Sequence, residues 1–278
     1  MRPAPLTDQL DESLFGGKAA QLAAAVRARL PVPAGVALPV AFVNAVAARR
    51  REARSQLAEI PRTLRAPLVA RSSAVGEDSE QATFAGQHLT RLNLRSALEL
   101  VDAVCAIWTS ARSPSALAYR ERLGLPPEPR MAVVVQELVD AESAGVLFSR
   151  NPLDGSDELV IEAAWGLGEA VVSGLVTPDR FRLARDGAVI ERAVGLKDVA
   201  VRTDPEGGTR QTGVPPKLAR SLCLDDSQLA ALHALALRCD EVFAESHDLE
   251  WAFAGGRLYL LQRRMLTAVP PMPMKASA

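Results

Sequence analysis

The stretch EWAFAGGRLYLLQRR, Glu250–Arg264, is typical of two β-strands joined by a tight turn. Gly255 and Gly256 mark the turn, and apolar residues alternate with other residues on both sides of it. A three-residue loop would place Glu250 opposite Gln262. The period of two would then divide the hairpin into one face with Ala252, Leu260 and Arg264 beside that pair, and a core face with Trp251, Phe253, Tyr259 and Leu261.

The first of these faces carries chemistry that suits a metal-bound polyphosphate. A carboxylate and an amide oxygen are ligands that Mg²⁺ accepts, and a guanidinium binds phosphate oxygens. Two alternatives stay open at this point. A two-residue loop would shift the register by one and separate Glu250 from Gln262, and a hairpin at a sheet edge could simply expose a polar face to solvent.

Two earlier segments have the composition of phosphate-binding elements. Phe15-Gly16-Gly17-Lys18 opens a predicted helix, where free backbone amides and a lysine favour an anion. Arg71-Ser72-Ser73-Ala74 ends a predicted strand, and the glycine-containing run Thr83 to Thr90 follows it as a possible lid. Each could also be ordinary: an exposed lysine after two loop glycines, and a solvated polar loop.

Composition restricts the class of protein. The chain has 278 residues, of which 48 % are hydrophobic and 23 % charged, and its formal net charge is −1. These values are typical of a globular enzyme and do not favour nucleic acid as a partner. No signal peptide or membrane-spanning stretch is visible, so a cytoplasmic protein without a membrane partner is expected. The three cysteines predict neither a disulfide framework nor a zinc site.

The chain reads as an α+β unit with two lobes, residues 1–134 and 135–269, followed by a disordered tail at 270–278. Helices are expected at Lys18–Ala28, Ala41–Leu57, Leu98–Leu123, with a break possible at Pro114, and Ser227–Ala244. Strands are expected at 67–71, 131–139, 144–148, 159–163, 180–183 and 188–194. The Gly-, Thr- and Pro-rich region Asp204–Pro216 is expected to be a mobile loop.

Eight short motifs occur in an order that resembles the N-terminal ATP-grasp domain of phosphoenolpyruvate synthase, pyruvate phosphate dikinase and rifampin phosphotransferase. They are Gly16-Gly17-Lys18, Arg71-Ser72-Ser73-Ala74, Phe84-Ala85-Gly86-Gln87, Val135-Gln136-Glu137, Phe148-Ser149-Arg150-Asn151-Pro152, Trp165-Gly166-Leu167-Gly168-Glu169, Thr177-Pro178-Asp179, and Asp248-Leu249-Glu250-Trp251 with Gln262-Arg263-Arg264. The resemblance covers nearly the whole chain. It implies an ATP-grasp fold with the nucleotide bound between two lobes.

The resemblance also implies roles for individual residues. ATP would be contacted by Lys18, Arg71, Ser72, Gly86, Thr90, Gln136, Glu137, Val139, Glu250, Gln262 and Arg264. Within that set, Lys18, Arg71 and Arg264 would act on the phosphates, Gln136 would begin the segment that holds adenine, and Glu250 with Gln262 would hold Mg²⁺. Lys197 also looks like a family lysine. Met265 stands where the family's hairpin usually continues into proline, which should alter the exit of the chain more than the site.

Family members continue into a swivelling domain whose histidine receives the phosphoryl group, and none of the three histidines of this chain lies in a matching motif. We therefore expect a phosphotransferase module that uses Mg-ATP and passes a phosphoryl group, the β-phosphoryl with AMP and phosphate as products, to a histidine on a separate protein. Two alternatives are an ATP-grasp ligase or kinase that acts directly on a small molecule, and a nucleotide-binding subunit without turnover.

Overall fold

The computed structural model describes residues 2–76, 89–244 and 246–266. Its helices are α1 Glu12–Arg27, α2 Val40–Ala47, α3 Arg51–Thr63, α4 Ala97–Ser110, α5 Pro114–Arg122, α6 Glu169–Val172, α7 Pro216–Ala219 and α8 Asp226–Phe243. Its strands are β1 Ala4–Pro5, β2 Gly35–Leu38, β3 Leu68–Ala74, β4 Thr90–Leu94, β5 Met131–Glu137, β6 Ser143–Phe148, β7 Glu158–Trp165, β8 Asp179–Ala184, β9 Val189–Ala193, β10 Val199–Thr203, β11 Thr209–Gly213, β12 His247–Ala254 and β13 Arg257–Met265. The expected α+β class is confirmed.

The first sheet is antiparallel and five-stranded, in the order β1-β2-β5-β3-β4. Helices cover both of its faces, which is why the central strand β5 is apolar at successive positions instead of alternating. Val133 and Val135 pack with α2, α3 and α4 on one face. Val134 points to the other face and packs with Ala19 and Leu22 of α1.

The second sheet is antiparallel and six-stranded, in the order β13-β12-β6-β7-β8-β9. One face packs against α8, where Trp251 and Phe181 lie among leucines of the helix with no exposed surface. The opposite face carries small side chains, with Ala144, Ala164 and Ala252 in a separate cluster. Small residues leave room on that face for another group to approach.

The region expected to be a mobile loop, Asp204–Pro216, is instead largely ordered, so that prediction was wrong. Strands β10 and β11 pair antiparallel from Val199↔Gly213 to Thr203↔Thr209, and the turn lies at residues 204–208. The backbone N–H of Val214 also donates to the carbonyl of Asp198 at 2.8 Å. Strand β11, Thr-Arg-Gln-Thr-Gly, has no apolar side chain, so the sequence shows no apolar alternation from which to recognise it.

The helices differ from expectation in two places. The single helix expected at Ala41–Leu57 is two helices, because Arg49 has a left-handed φ of 58° and ends α2. The first helix begins earlier than expected, at Glu12, and is kinked at Gly16, whose φ of 78° is not helical. The possible break at Pro114 is confirmed, because proline begins α5 at a position where its missing N–H costs nothing.

The expected boundary between residues 134 and 135 falls inside β5, a strand of the first sheet. We propose that the lobes meet instead in the segment from Leu138 to Glu142, between β5 and β6. The expected tail at 270–278 lies outside the described residues. No helix in the described ranges has the length and apolar character needed to cross a membrane.

Candidate functional site

A cavity of about 650 Å³ lies between the two sheets. Strands β3, β4 and β5 line one side, β6, β12 and β13 line the other, and α6 and β11 contribute further residues. Of the residues implicated by sequence, the cavity is lined by Lys18, Arg71, Thr90, Gln136, Glu137, Val139, Glu250, Gln262 and Arg264. The fold thus brings together side chains up to 246 positions apart in the sequence, from Lys18 to Arg264.

Two expected residues are not in this lining. Ser72 has no exposed surface and its hydroxyl has no partner among the described residues, while its neighbours in the strand, Arg71 and Ser73, point to the opposite side. Only the backbone carbonyl of Ser72 faces the site, where it accepts a hydrogen bond from Lys18 Nζ at 2.9 Å. Gly86 lies outside the described residues, as does His88.

Glu250 lies between two guanidinium groups in the lining of the cavity. Its Oε2 is 3.4 Å from Nη1 of Arg71, and its Oε1 is 3.3 Å from Nη2 of Arg264. Both contacts are longer than a good charge-assisted hydrogen bond. With the Gln262 amide oriented so that its oxygen faces Arg264, that oxygen accepts from Nη2 at 2.8 Å and also from Nε. Three polar side chains of the hairpin therefore converge.

Glu250 and Gln262 lie opposite each other as expected, but the loop length that was expected to place them there is not the observed one. Ala254 pairs with Arg257, so the loop has two residues, not three. The register nevertheless shifts between Glu250 and Trp251, because Leu261 is an extra residue that bulges out of β13. Glu250 consequently lies opposite Gln262. The bulge also gives Arg71 a partner, since the Leu261 carbonyl accepts from its Nη1 at 3.1 Å.

Because of the bulge, Leu260 and Leu261 lie on the opposite faces from those expected. Leu260 pairs with Trp251 and is buried in the core beneath α8, although it was expected beside Glu250. Leu261 lines the cavity, although it was expected in the core. Tyr259 pairs with Ala252 and is only partly buried.

Lys18 is held in place by a junction between α1 and β3. Gly16 lies so close to Ser73 that a Cβ there would be 2.2 Å from the Ser73 carbonyl oxygen. The Ser73 hydroxyl donates to the Phe15 carbonyl at 2.8 Å and accepts from the Ala19 N–H at 3.0 Å. The hydroxyl therefore satisfies the Phe15 carbonyl and the Ala19 N–H at the kinked start of the helix. Lys18 follows this kink, and its Nζ reaches the backbone carbonyl of Ser72 in β3, next to Arg71.

Several lining residues were not predicted. An apolar wall contains Leu92, Leu167 and Val201, beside the small side chains of Ala141 and Ala144. Glu169, Thr209, Arg210 and Gln211 form a second polar group, in which the Thr209 hydroxyl donates to Glu169 Oε2 at 3.1 Å. The motif ending in Glu169 was the available signal for that residue. The β11 residues could not be recognised while their segment was taken for a loop.

Three buried or half-buried titratable residues, Asp248, His247 and Lys197, do not line the cavity. Burial raises the pKa of Asp248 to about 6, with Arg264 opposing the rise and Glu250 adding to it. His247 is fully buried with its Nε2 2.8 Å from Asp240 Oδ1, and burial lowers its pKa. Lys197 is fully buried in an ion pair with Asp179. Its ammonium group is therefore the counterion of the buried Asp179 carboxylate.

The donor chemistry fits a magnesium ion only if a ligand supplies part of the coordination. Among the described residues, no group of three His, Cys, Asp or Glu side chains converges as a metal site. One carboxylate from Glu250 and one amide oxygen from Gln262 face the cavity side by side. Mg²⁺ in nucleotide sites is commonly held by one or two carboxylates together with substrate phosphates. The two side chains fit that pattern.

Comparison with known proteins identifies the family. Residues 38–276 match the family described as pyruvate phosphate dikinase, AMP/ATP-binding domain. The chain belongs to this family. Among its relatives, a protein of Methanothermobacter thermautotrophicus named "probable phosphoenolpyruvate synthase" is 42 % identical over 201 residues, which cover 72 % of this chain and 29 % of the relative. The rifampicin phosphotransferase of Streptomyces sviceus is 35 % identical over 214 residues, covering 76 % of this chain and 24 % of the relative.

The chain thus spans less than a third of the length of these relatives. Among solved structures, the dinucleotide-forming acetyl-coenzyme A synthetase 1 of Ca. Korarchaeum cryptofilum resembles the domain with a TM-score of 0.46 and 13 % identity, covering 86 % of this chain and 87 % of the other. The ATP-grasp ligase PsnB gives a TM-score of 0.33 at 15 % identity, over 91 % of this chain and 52 % of the other. Because both scores are below 0.5, the assignment rests on the family match.

Proposed function

We propose that this domain binds Mg-ATP between its two sheets, as an ATP-grasp domain does, and transfers the β-phosphoryl group to a histidine on a separate partner domain. The products on the nucleotide side would be AMP and phosphate. Transfer of the β-phosphoryl to an imidazole nitrogen breaks the bond between the α- and β-phosphates, and one water takes the γ-phosphoryl. The imidazole proton is released.

The observation that carries this proposal is the group of three cationic side chains around a single carboxylate. Lys18, Arg71 and Arg264 line the same cavity as Glu250, and both guanidiniums contact that carboxylate at distances longer than optimal. The group has a positive excess, which suits a polyphosphate. An arriving phosphate could take over the guanidinium contacts and leave the Glu250 carboxylate available to a metal ion.

The chemistry required of the protein is positioning and neutralisation of charge, as in phosphoryl transfer generally. Arg71 is fixed by the Leu261 carbonyl and Arg264 by the Gln262 amide, so both guanidiniums are oriented before a ligand arrives. Lys18 supplies a further cation from α1. When bound, Mg²⁺ would neutralise phosphate charge at Glu250 and Gln262.

The partner domain is the part of the proposal that comes from the relatives. The matched curated proteins are much longer than this chain, and their names describe synthases and phosphotransferases. Since none of the described histidines, His233 and His247, lines the cavity, an acceptor on another domain is consistent with the site.

The test separates the acceptor from the nucleotide products. The protein is incubated with ATP labelled at the β- or the γ-phosphate, together with a purified histidine domain from a relative. We expect β-label on the partner and γ-label in free phosphate, and no transfer to a partner in which alanine replaces the histidine. Formation of ADP with a phosphorylated small molecule and an unlabelled partner would instead identify a kinase or ligase that acts directly.

A further inference from the structure

Asn93, near the end of β4, was not singled out by any motif, and its environment is unusual. It has no exposed surface and a left-handed φ of 58°. The pairing of β4 with β3 is irregular there, since Leu68 pairs with Leu94 while Ala70 pairs with Arg91. One residue of β3 thus faces two of β4. Such bulges redirect a side chain out of the regular alternation.

The redirected amide of Asn93 reaches the turn of the β10–β11 hairpin. Its Nδ2 donates to the carbonyls of Asp204 at 2.6 Å and of Gly208 at 2.7 Å, the two ends of that turn. Its Oδ1 accepts from Arg95 Nε at 3.2 Å, which fixes the orientation of the amide. Arg95 itself donates to the Pro205 carbonyl at 2.7 Å. The first sheet therefore holds the hairpin turn at three carbonyls.

This contact lies at the wall of the cavity. The cavity is lined by Leu92, the neighbour of Asn93, and by Thr209 to Gln211, which follow the held turn directly. Strand β10 is attached to the chain that leaves β7 of the other sheet, where the Leu167 N–H donates to the Val201 carbonyl at 2.8 Å. The hairpin thus spans from one sheet to the other beside the cavity. Release of its turn would open that side.

We propose that Asn93 is a positioning residue that holds the β10–β11 hairpin closed over the bound nucleotide. It does not touch the ligand itself but acts through Thr209, Arg210 and Gln211. This inference rests on the proposed function for the identity of the ligand. The closed hairpin, in contrast, depends only on contacts within the protein. Loss of the amide should accelerate nucleotide dissociation while the sheets stay folded.

The left-handed backbone at Asn93 offers an alternative that the experiment must separate. Asparagine is favoured at positive φ for conformational reasons alone. Asn93→Gly keeps that conformation available but removes the amide. Asn93→Asp keeps the shape but places an acceptor against the carbonyls of Asp204 and Gly208. If φ alone matters, both variants behave like the unchanged protein; if the amide matters, the glycine variant is impaired and the aspartate variant more so.

Two measurements are made on the full chain. Amide hydrogen exchange of residues 199–213 reports hairpin opening without any nucleotide. Stopped-flow dissociation of a fluorescent ATP analogue with Mg²⁺ reports its effect on the ligand. For Asn93→Gly we expect both rates to rise roughly tenfold, the scale of two lost hydrogen bonds, with unchanged exchange in β5. The exposed Arg91→Ala on the same strand serves as the control and should leave both rates unchanged.

The outcomes distinguish this inference from the proposed function. Faster hairpin exchange in Asn93→Gly supports the positioning role even if the unchanged protein binds no nucleotide, which would refute only the proposed function. Unchanged exchange and dissociation in that variant would overturn the inference. Should the Asn93 variants fold poorly, Arg95→Ala removes the Pro205 contact from an exposed position. It should show a smaller change in the same direction, and no change there would also overturn the inference.

Discussion

At the scale of single residues, Glu250 has two roles that one substitution can separate. Its carboxylate keeps Arg71 and Arg264 partly neutralised, and it is the proposed metal ligand. Glu250→Gln should lower phosphoryl transfer by at least about a hundredfold, as loss of a charge-stabilising group does. Binding of ATP without Mg²⁺ should be kept or strengthened, because the two cations lose their internal partner. Calorimetry with and without Mg²⁺ measures the difference.

The exposed Glu241→Gln, which makes the same change of charge on α8, is the matched control. Retained transfer in Glu250→Gln would refute the metal assignment. Loss of ATP binding in the absence of metal would mean that Glu250 contacts the nucleotide through some other interaction than the one proposed.

Lys197 allows a prediction about stability instead of catalysis. Both it and Asp179 are fully buried, and the Asp179 carboxylate also accepts from the N–H groups of Gly195 at 2.9 Å and Cys223 at 2.7 Å. Lys197→Met would leave a buried charge without its counterion, which should lower the free energy of unfolding by about 3–5 kcal/mol. In urea denaturation, adding Asp179→Asn should restore part of that loss; strictly additive losses would contradict the pairing.

The sequence showed which residue types belong to the candidate site better than it showed their packing. Glu250, Gln262 and Arg264 line one cavity as the hairpin pattern indicated. Leu260 and Leu261 exchanged faces because a β-bulge depends on contacts with other segments, here Arg71 from β3. The burial of Lys197 depends on Asp179, a partner that no local pattern reveals. Whether the lining residues bind ATP stays a prediction.

At the scale of secondary structure, the kinked start of α1 depends on a glycine for two separate reasons. Gly16 has positive φ, and a Cβ there would meet the Ser73 backbone. Gly124 provides a matched comparison, since it has a φ of 64° with nothing within 4 Å of its Cβ position. Both alanine variants should lose about 1 kcal/mol from backbone strain. Gly16→Ala should lose at least about 2 kcal/mol more from the clash.

Thermal and urea unfolding of the two variants measure this difference. Equal losses would show that α1 moves away from β3 at little cost, in which case the position of Lys18 would not depend on the glycine.

The ion pair between Glu158 of β7 and Arg182 of β8 should make the free energy of unfolding sensitive to acid. Glu158 is nearly buried, and Arg182 contacts both of its oxygens, at 2.9 and 2.8 Å. Hydrogen bonding to Arg182 lowers the pKa of Glu158, so the carboxylate contributes stability above its unfolded pKa of about 4.3 and loses it as pH falls. The stability gap between the unchanged protein and Glu158→Gln should therefore be full at pH 7 and shrink below about pH 4.

Urea titrations across this pH range measure the gap, with the exposed Glu206→Gln as the control. A gap that stays constant down to pH 3 would show that the amide and the carboxylate bind Arg182 equally well.

Secondary structure was predictable where apolar periodicity is strong and failed where it is weak. The strand β5 and the long helix α8 were anticipated within a few residues. Strand β11 and the turn before it were mistaken for a loop because β11 has no apolar side chain and the turn is held by contacts with the distant Asn93. The division between α2 and α3 was missed because a run of arginines carries no turn signal.

At the scale of the whole molecule, the cavity is formed by both sheets, so a ligand bound there should stabilise them together. Mg-ATP at about a hundred times its dissociation constant should add about 2.7 kcal/mol to the free energy of unfolding and raise Tm. The same nucleotide should stabilise Arg264→Ala much less. The exposed Arg257→Ala, on the same strand, should respond like the unchanged protein. Differential scanning calorimetry provides the measurement, and an unchanged Tm would contradict nucleotide binding.

The α+β class was anticipated together with the resemblance to ATP-grasp domains, whereas the arrangement of the two sheets was not. The expected lobe boundary lay inside β5, although the chain crosses between the sheets only after Glu137. Sheet membership depends on pairing between distant strands, such as β2 with β5. Local composition does not encode such pairing.

The closely spaced ends of the β10–β11 hairpin have a consequence for how this fold can diversify. Asp198 and Val214 are joined by a backbone hydrogen bond of 2.8 Å, so the segment between them leaves and re-enters the fold at one point. Changes in the length of such a segment cost little closure entropy, because its ends stay joined. The β10–β11 hairpin can therefore be replaced by one of different length. Grafting a turn of different length there offers a way to engineer nucleotide residence time without altering the charged residues around Glu250.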